Sequence, residues 1–101
     1  MVYSLATLPI DDIRRLCQAH AIQSLAVFGS ALRDDFGADS DIDLLVEFEP
    51  EARVGFLKLA AVQRELGELI GRRVDLVPRS GLKPLIRDSV LASARTIYAI
   101  R

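Results

Sequence analysis

The chain has only one cysteine and one histidine in 101 residues. A lone thiol, Cys17, excludes an intrachain disulfide and any cysteine-rich zinc cage, and a lone imidazole, His20, leaves no histidine pair for catalysis or metal binding. Excess charge is missing too: 13 Lys and Arg face 14 Asp and Glu, a formal net of −1. Without a basic surplus there is no sign of an extended nucleic-acid site. No apolar run approaches the length of a membrane span, and residues 1–5 hold no basic segment leading into an apolar one. Repeats, low-complexity tracts and linkers are also lacking. What is present is an apolar half of the chain, enough for one core and too little for two. The expectation is one domain over residues 1–101, cytoplasmic, with no membrane contact.

Thr7 is placed to cap a first helix, with Pro9 in its first turn and Asp11 and Asp12 near its positive end. Ile10, Ile13, Leu16 and Cys17 then recur at helical spacing. Leu25 to Phe28 is a short apolar run of the kind found inside a sheet, ended by Gly29-Ser30. Ala31 to Arg33 fit one helical turn before a polar loop, Asp34 to Ser40, and Ile42 to Phe48 reads as a second strand. Between Val54 and Ile70, Phe56, Leu59, Ala60, Gln63, Leu66 and Ile70 fall near one stripe, and Gly71 suits the C′ position. Arg73 to Val77 predicts a third strand stopped by Pro78, then a helix from about Pro84 to Ser93 and an edge strand from Thr96 to Ile100. The order α-β-α-β-α-β-α-(β) predicts an α/β (α+β) fold, a small mixed sheet of three to four strands flanked by helices. His20 is expected to meet the terminal carbonyls of the first helix and Cys17 to lie in the core. Arg72 and Arg73 are expected to complement the dipole of the long helix, with a role in partner or nucleotide binding as the alternative.

The chemistry concentrates in Val27-Phe28-Gly29-Ser30 and Asp39-Ser40-Asp41-Ile42-Asp43-Leu44-Leu45-Val46. Residues i and i+2 of a strand face the same way, so Asp41 and Asp43 aim at one point, with Cα atoms about 6.5–7 Å apart. The long helix between strands two and three predicts a right-handed crossover and a parallel pair, which brings Asp75 to the same edge. The Gly-Ser turn reaches that edge if strand one runs antiparallel to strand two. Asp75 sits in the apolar frame Val74-x-Leu76-Val77, and an unpaired buried carboxylate is costly. Three converging carboxylates call for a divalent cation, and Mg²⁺ suits oxygen ligands and phosphate bridging. Gly29 would admit a close triphosphate while Ser30 offers N–H and hydroxyl groups. Arg33 would contact a phosphate or pair with Asp34, Asp35 or Asp39.

Gly29-Ser30, Asp41-x-Asp43 and a separate Asp75 resemble the signature of the DNA polymerase β-type nucleotidyltransferase superfamily. The wording Phe-Gly-Ser-Ala-Leu-Arg…Asp-Ser-Asp-Ile-Asp-Leu-Leu-Val-Glu-Phe resembles its smallest branch, the MntA-type minimal nucleotidyltransferases. Asp34 stands where many relatives have Gly after the Arg. The resemblance implies ATP as substrate and two Mg²⁺ ions held by Asp41, Asp43 and Asp75. Asp75 would also help to deprotonate the acceptor, and Gly29, Ser30 and Arg33 would bind the nucleotide. It further implies a HEPN-type toxin as partner, AMPylated on a tyrosine and so neutralised in a hetero-oligomer with this antitoxin. An antitoxin acting by binding alone, or an aminoglycoside-type small-molecule transferase, are the alternatives. Leu82, Leu85, Ile86, Ile97 and Ile100 would either bind the partner or pack in the core.

Overall fold

In the computed structural model, which describes residues 5–32, 37 and 40–100, the chain leaves a 3-10 turn at Leu5–Thr7 and enters helix α1, Ile10–Ala19. Thr7 does not cap this helix. The N-cap is Pro9, without a side-chain cap, and its carbonyl accepts the Ile13 N–H at 2.9 Å. Thr7 is already committed to the preceding turn, whereas proline needs no N–H partner and has a preset φ. Asp11 and Asp12 do lie in the first turn, where they also pair with Arg14 and Arg15.

The remaining elements are β1 (Ile22–Phe28), β2 (Ile42–Phe48), α2 (Phe56–Ile70), β3 (Val74–Pro78), α3 (Pro84–Ser93) and β4 (Arg95–Ala99). Among the described residues four strands form a mixed sheet in the order β3-β2-β1-β4. β1 runs antiparallel to β2 and β4, and β2 runs parallel to β3. The edge strand at the C-terminal end is therefore present, and the Ile100 N–H extends it by donating to Gln23 O at 2.9 Å. Pro78 does not precede the strand end but closes it, opposite Val46. An edge strand tolerates the missing donor.

The period of two along each strand divides the core between the two faces of the sheet. Leu25, Val27, Leu44, Val46, Val74 and Leu76 meet Ile13 and Cys17 of α1 and Val62 and Leu66 of α2. On the other face Ala26, Leu45 and Val77 meet Val90, Leu91 and Ala94, with Leu82 buried among them. The stripe of α2 differs from its expected membership. Phe56 is 82% exposed and Ala60 is exposed, whereas Val62 is fully buried. The first turn of α2 stands clear of the core, so its apolar residues are left in water despite the correct spacing. Gln63 is the polar residue on the buried side, and its Oε1 accepts the Leu76 N–H at 2.9 Å. β3 is the sheet edge, and α2 supplies the acceptor that a further strand would have provided. Gly71, at φ 80°, ends α2 by donating its N–H to Gly67 O at 2.8 Å.

His20 ends α1, but its side chain turns to α2, with Nε2 3.1 Å from Glu65 Oε2, rather than to the carbonyls of its own helix. No helix among the described residues is long and apolar enough to cross a membrane.

Cys17 packs inside the core as expected, and burial pushes its thiol from 9.0 up to about 11. In the unfolded chain the thiol keeps its ordinary value. Its contribution to stability is thus fully present below pH 9 and is lost as pH rises toward 11, where the unfolded state binds fewer protons. Urea titrations from pH 8 to 11 should show wild-type stability falling relative to Cys17→Ala, by on the order of 2 kcal/mol. A constant difference between the two proteins would refute the buried, protonated thiol.

Candidate active site

β1 and β2 pair with Phe28 opposite Asp43, so the end of one strand and the start of the next share an edge. There Gly29, at φ 72°, turns the chain into a 3-10 segment, Gly29–Leu32. A Cβ at this position would land on the Asp43 carboxylate, whose Cγ lies 3.3 Å from where that atom would sit. Glycine is required twice over, by the backbone angle and by the close approach. Ser30 Oγ donates to the Asp41 carbonyl at 3.4 Å. Each residue of the turn thus meets one of the two acids: Gly29 the side chain of Asp43, Ser30 the backbone of Asp41.

Asp41 precedes β2 by one residue, and its carboxylate, 47% exposed, lies 3.0 Å from Arg73 Nε. The parallel ladder sets Asp43 beside Asp75, on strands about 4.8 Å apart. It begins where the Ile42 N–H donates to Arg73 O at 2.9 Å. Paired residues of a parallel ladder face the same way, so both carboxylates lie on the sheet face away from α1 and α2. Asp75 is exposed, not buried as its apolar frame suggested. Val74 and Leu76 point into the core, and the residue between them must point out. Register, rather than the cost of burial, groups Asp75 with Asp43.

The edge therefore gathers Gly29, Ser30, Asp41, Asp43 and Asp75. Arg33, with Asp34, Asp35 and Asp39, lies outside the described residues. Two residues given another role by their place after α2 turn out to belong here. Arg72 Nη2 donates to the carbonyls of Gly37 and of Ser40, the latter at 3.2 Å, and Arg73 takes the Asp41 carboxylate. Together they anchor the approach to β2 instead of serving the helix dipole. The signal was in the register: once residue 75 lies beside 43, residue 73 lies beside 41.

A cavity of about 690 Å³ opens between α2 and the entrance of β3, lined by Asp41, Gln63, Gly67, Arg72, Arg73 and Asp75 among others. A second, of about 850 Å³, lies between the far ends of β2 and β3 and α3, around Glu47, Pro78, Arg79, Arg87 and Leu91. The larger cavity touches neither the three Asp residues nor the Gly-Ser turn, whereas the smaller one reaches Asp41 and Asp75 but not Asp43, Gly29 or Ser30. Among the described residues no group of three or more His, Cys, Asp or Glu side chains is arranged to hold a metal ion. The donor set itself fits a hard divalent cation, because it is made of carboxylate oxygens with no nitrogen or sulfur ligand.

A family model, the nucleotidyltransferase domain, matches residues 11–97, which include every candidate residue. The chain is similar to the protein adenylyltransferase MntA of Thermococcus cleftensis, 36% identical over 95 aligned residues covering 86% of this chain and 94% of the relative. A solved structure assigned as a minimal nucleotidyltransferase is 39% identical, with a TM-score of 0.70 over 84% of this chain and 85% of that one. A chain in the solved complex of tri-AMPylated Shewanella oneidensis HEPN toxin with MNT antitoxin shares the fold, with 18% identity and a TM-score of 0.66 over 90% of this chain and 70% of that one. The four-stranded mixed sheet with its flanking helices is the minimal nucleotidyltransferase fold. The chain belongs to the nucleotidyltransferase domain family, and its activity is nucleotidyl transfer.

Gly29→Ala is expected to lower stability by about 1–3 kcal/mol, from the left-handed φ and the collision with Asp43. Gly55→Ala, with open space around it, loses only a preferred N-cap residue of α2 and should cost about 0.5 kcal/mol. Thermal unfolding of the two variants checks the difference, and equal melting temperatures would contradict the close approach at Gly29.

Proposed function

We propose that the chain is an Mg²⁺-dependent protein adenylyltransferase that moves AMP from ATP to a tyrosine hydroxyl of a HEPN ribonuclease toxin, and so acts as its antitoxin. The observation that carries this reading is the register Phe28–Asp43–Asp75, which sets a Gly-Ser turn and two carboxylates side by side on adjacent strands. Asp41, Asp43 and Asp75 would hold Mg²⁺, as two ions. When bound, the metal neutralises charge on the triphosphate and on the attacking and leaving oxygens.

The chain's own groups then have distinct tasks. Gly29 lets the backbone approach the β- and γ-phosphates, and Ser30 offers them its N–H and hydroxyl. Asp75, exposed on the sheet face, takes the proton of the acceptor hydroxyl. The acceptor oxygen forms a bond to the α-phosphorus, the bond from that phosphorus to the β-phosphate oxygen breaks, and pyrophosphate leaves along the Gly29-Ser30 turn. The donor would be ATP, in keeping with the adenylyltransferase name of the Thermococcus relative, and the acceptor is suggested by the AMPylated toxin of the Shewanella complex.

The partner would dock on apolar residues that the fold leaves uncovered. Leu85 is 98% exposed, and Ile86 and Ile100 are also exposed, whereas Leu82 is buried and Ile97 packs against the core. Of the five apolar residues considered from sequence, three therefore remain available and two are structural. An antitoxin working by occlusion alone would need no acidic edge, and a small-molecule transferase would need no exposed α3 surface.

Co-expressed HEPN partner should be labelled from α-labelled ATP, and Asp41→Ala with Asp43→Ala should reduce labelling at least about 100-fold. Equal labelling by the double variant would refute the site. Undiminished rescue of the host by the same variant would favour occlusion, and transfer to an antibiotic without protein partner would favour the small-molecule reading. Leu85→Glu should leave the melting temperature unchanged while weakening co-purification of the partner about tenfold or more.

A further inference from the structure

Arg73 has no task in the reaction just described, yet it is the residue placed against Asp41. Its backbone is fixed there, because Arg73 O accepts the Ile42 N–H at 2.9 Å. Its side chain completes the contact with Nε 3.0 Å from Asp41 Oδ1. Arg72 holds the carbonyls of Gly37 and Ser40 alongside, so the strand approach is anchored independently of the ion pair. The pair itself stays in water: the side chains are 80% and 47% exposed. A salt bridge of this kind is weak and readily exchanged. Arg73 also lines the cavity that Asp41 and Asp75 share, so its guanidinium can change partner without leaving the site.

We propose that Arg73 is a counter-ion that trades partners: it holds Asp41 when no nucleotide is present, and moves to a nucleotide phosphate oxygen when Asp41 turns to the cation. The proposal rests on the reading of Asp41 as a cation ligand. Charge stays matched at both stages, since a guanidinium–carboxylate contact is exchanged for a guanidinium–phosphate one. The planar fork of arginine suits both groups. Arg73 is in this sense a positioning residue for Asp41 and a binding residue for the triphosphate. While Asp41 Oδ1 faces Arg73, the guanidinium competes with a cation for that carboxylate.

The test uses Mn²⁺ alone, titrated by paramagnetic resonance, and then ATP binding in saturating Mn²⁺. Arg73→Gln should bind Mn²⁺ alone up to about fivefold tighter, because a competitor for Asp41 is gone, and should bind ATP about tenfold more weakly. Arg14→Gln is the control for bulk charge. It removes the same charge from α1, outside both cavities, where Arg14 Nη1 lies 3.4 Å from Asp11 Oδ1, and both affinities should change less than twofold. Arg73→Lys keeps the charge without the fork and should fall between wild type and Arg73→Gln in both titrations. Weaker Mn²⁺ binding by Arg73→Gln would mean a purely structural role and overturn the exchange. Equal effects of Arg73→Gln and Arg14→Gln would do the same. If Asp41→Ala with Asp43→Ala binds Mn²⁺ as well as wild type, the cation site itself is wrong, and both readings fail together.

Discussion

The Ile42 N–H donates to the Arg73 carbonyl, and that bond opens the parallel ladder on which the acidic edge depends. A slip of one residue would turn Asp75 into the core and leave Asp43 without a neighbouring carboxylate. Several contacts outside the edge keep the register in place. α2 returns the chain to the start of β3 and ends at Gly71, whose left-handed backbone reverses direction within one residue. Gln63 reaches from α2 to the Leu76 N–H, tying down the free side of β3. Val74 and Leu76 then lock the strand into the hydrophobic core.

The second constraint is the near contact of Gly29 with Asp43. It couples the turn after β1 to the start of the β2 ladder. Backbone geometry does this, not burial: Asp41 and Asp75 are exposed. Solvent around exposed carboxylates weakens their mutual repulsion compared with buried ones, and one of them has Arg73 beside it.

Much of this was legible in the chain. β2 and α3 have the bounds that apolar periodicity and Pro84 indicated, and the mixed sheet follows from one short and one helical connection. Gly29, Ser30, Asp41, Asp43 and Asp75 were picked out as residue types and do meet on one edge. The misreadings share a cause. Thr7, Phe56 and Asp75 were each judged by local context, and each was decided by what packs nearby. Thr7 fell to a preceding turn, Phe56 to the overhang of α2, and Asp75 to the open face of an edge strand. Arg72 and Arg73 were judged by the helix before them, although their partners lie more than thirty residues away in sequence.

Sequence by itself determined the reaction class, because a Gly-Ser turn, an Asp-x-Asp strand and a distant Asp are chemical requirements written in residue types. It also determined the element order, because helix and strand periods and the turn residues act locally. Tertiary structure alone decided which carboxylates are exposed, which arginine answers Asp41 and which apolar residues remain uncovered. Those outcomes depend on strand register and on how far each helix overlaps the sheet, quantities set by packing between distant segments rather than by any residue's immediate neighbours.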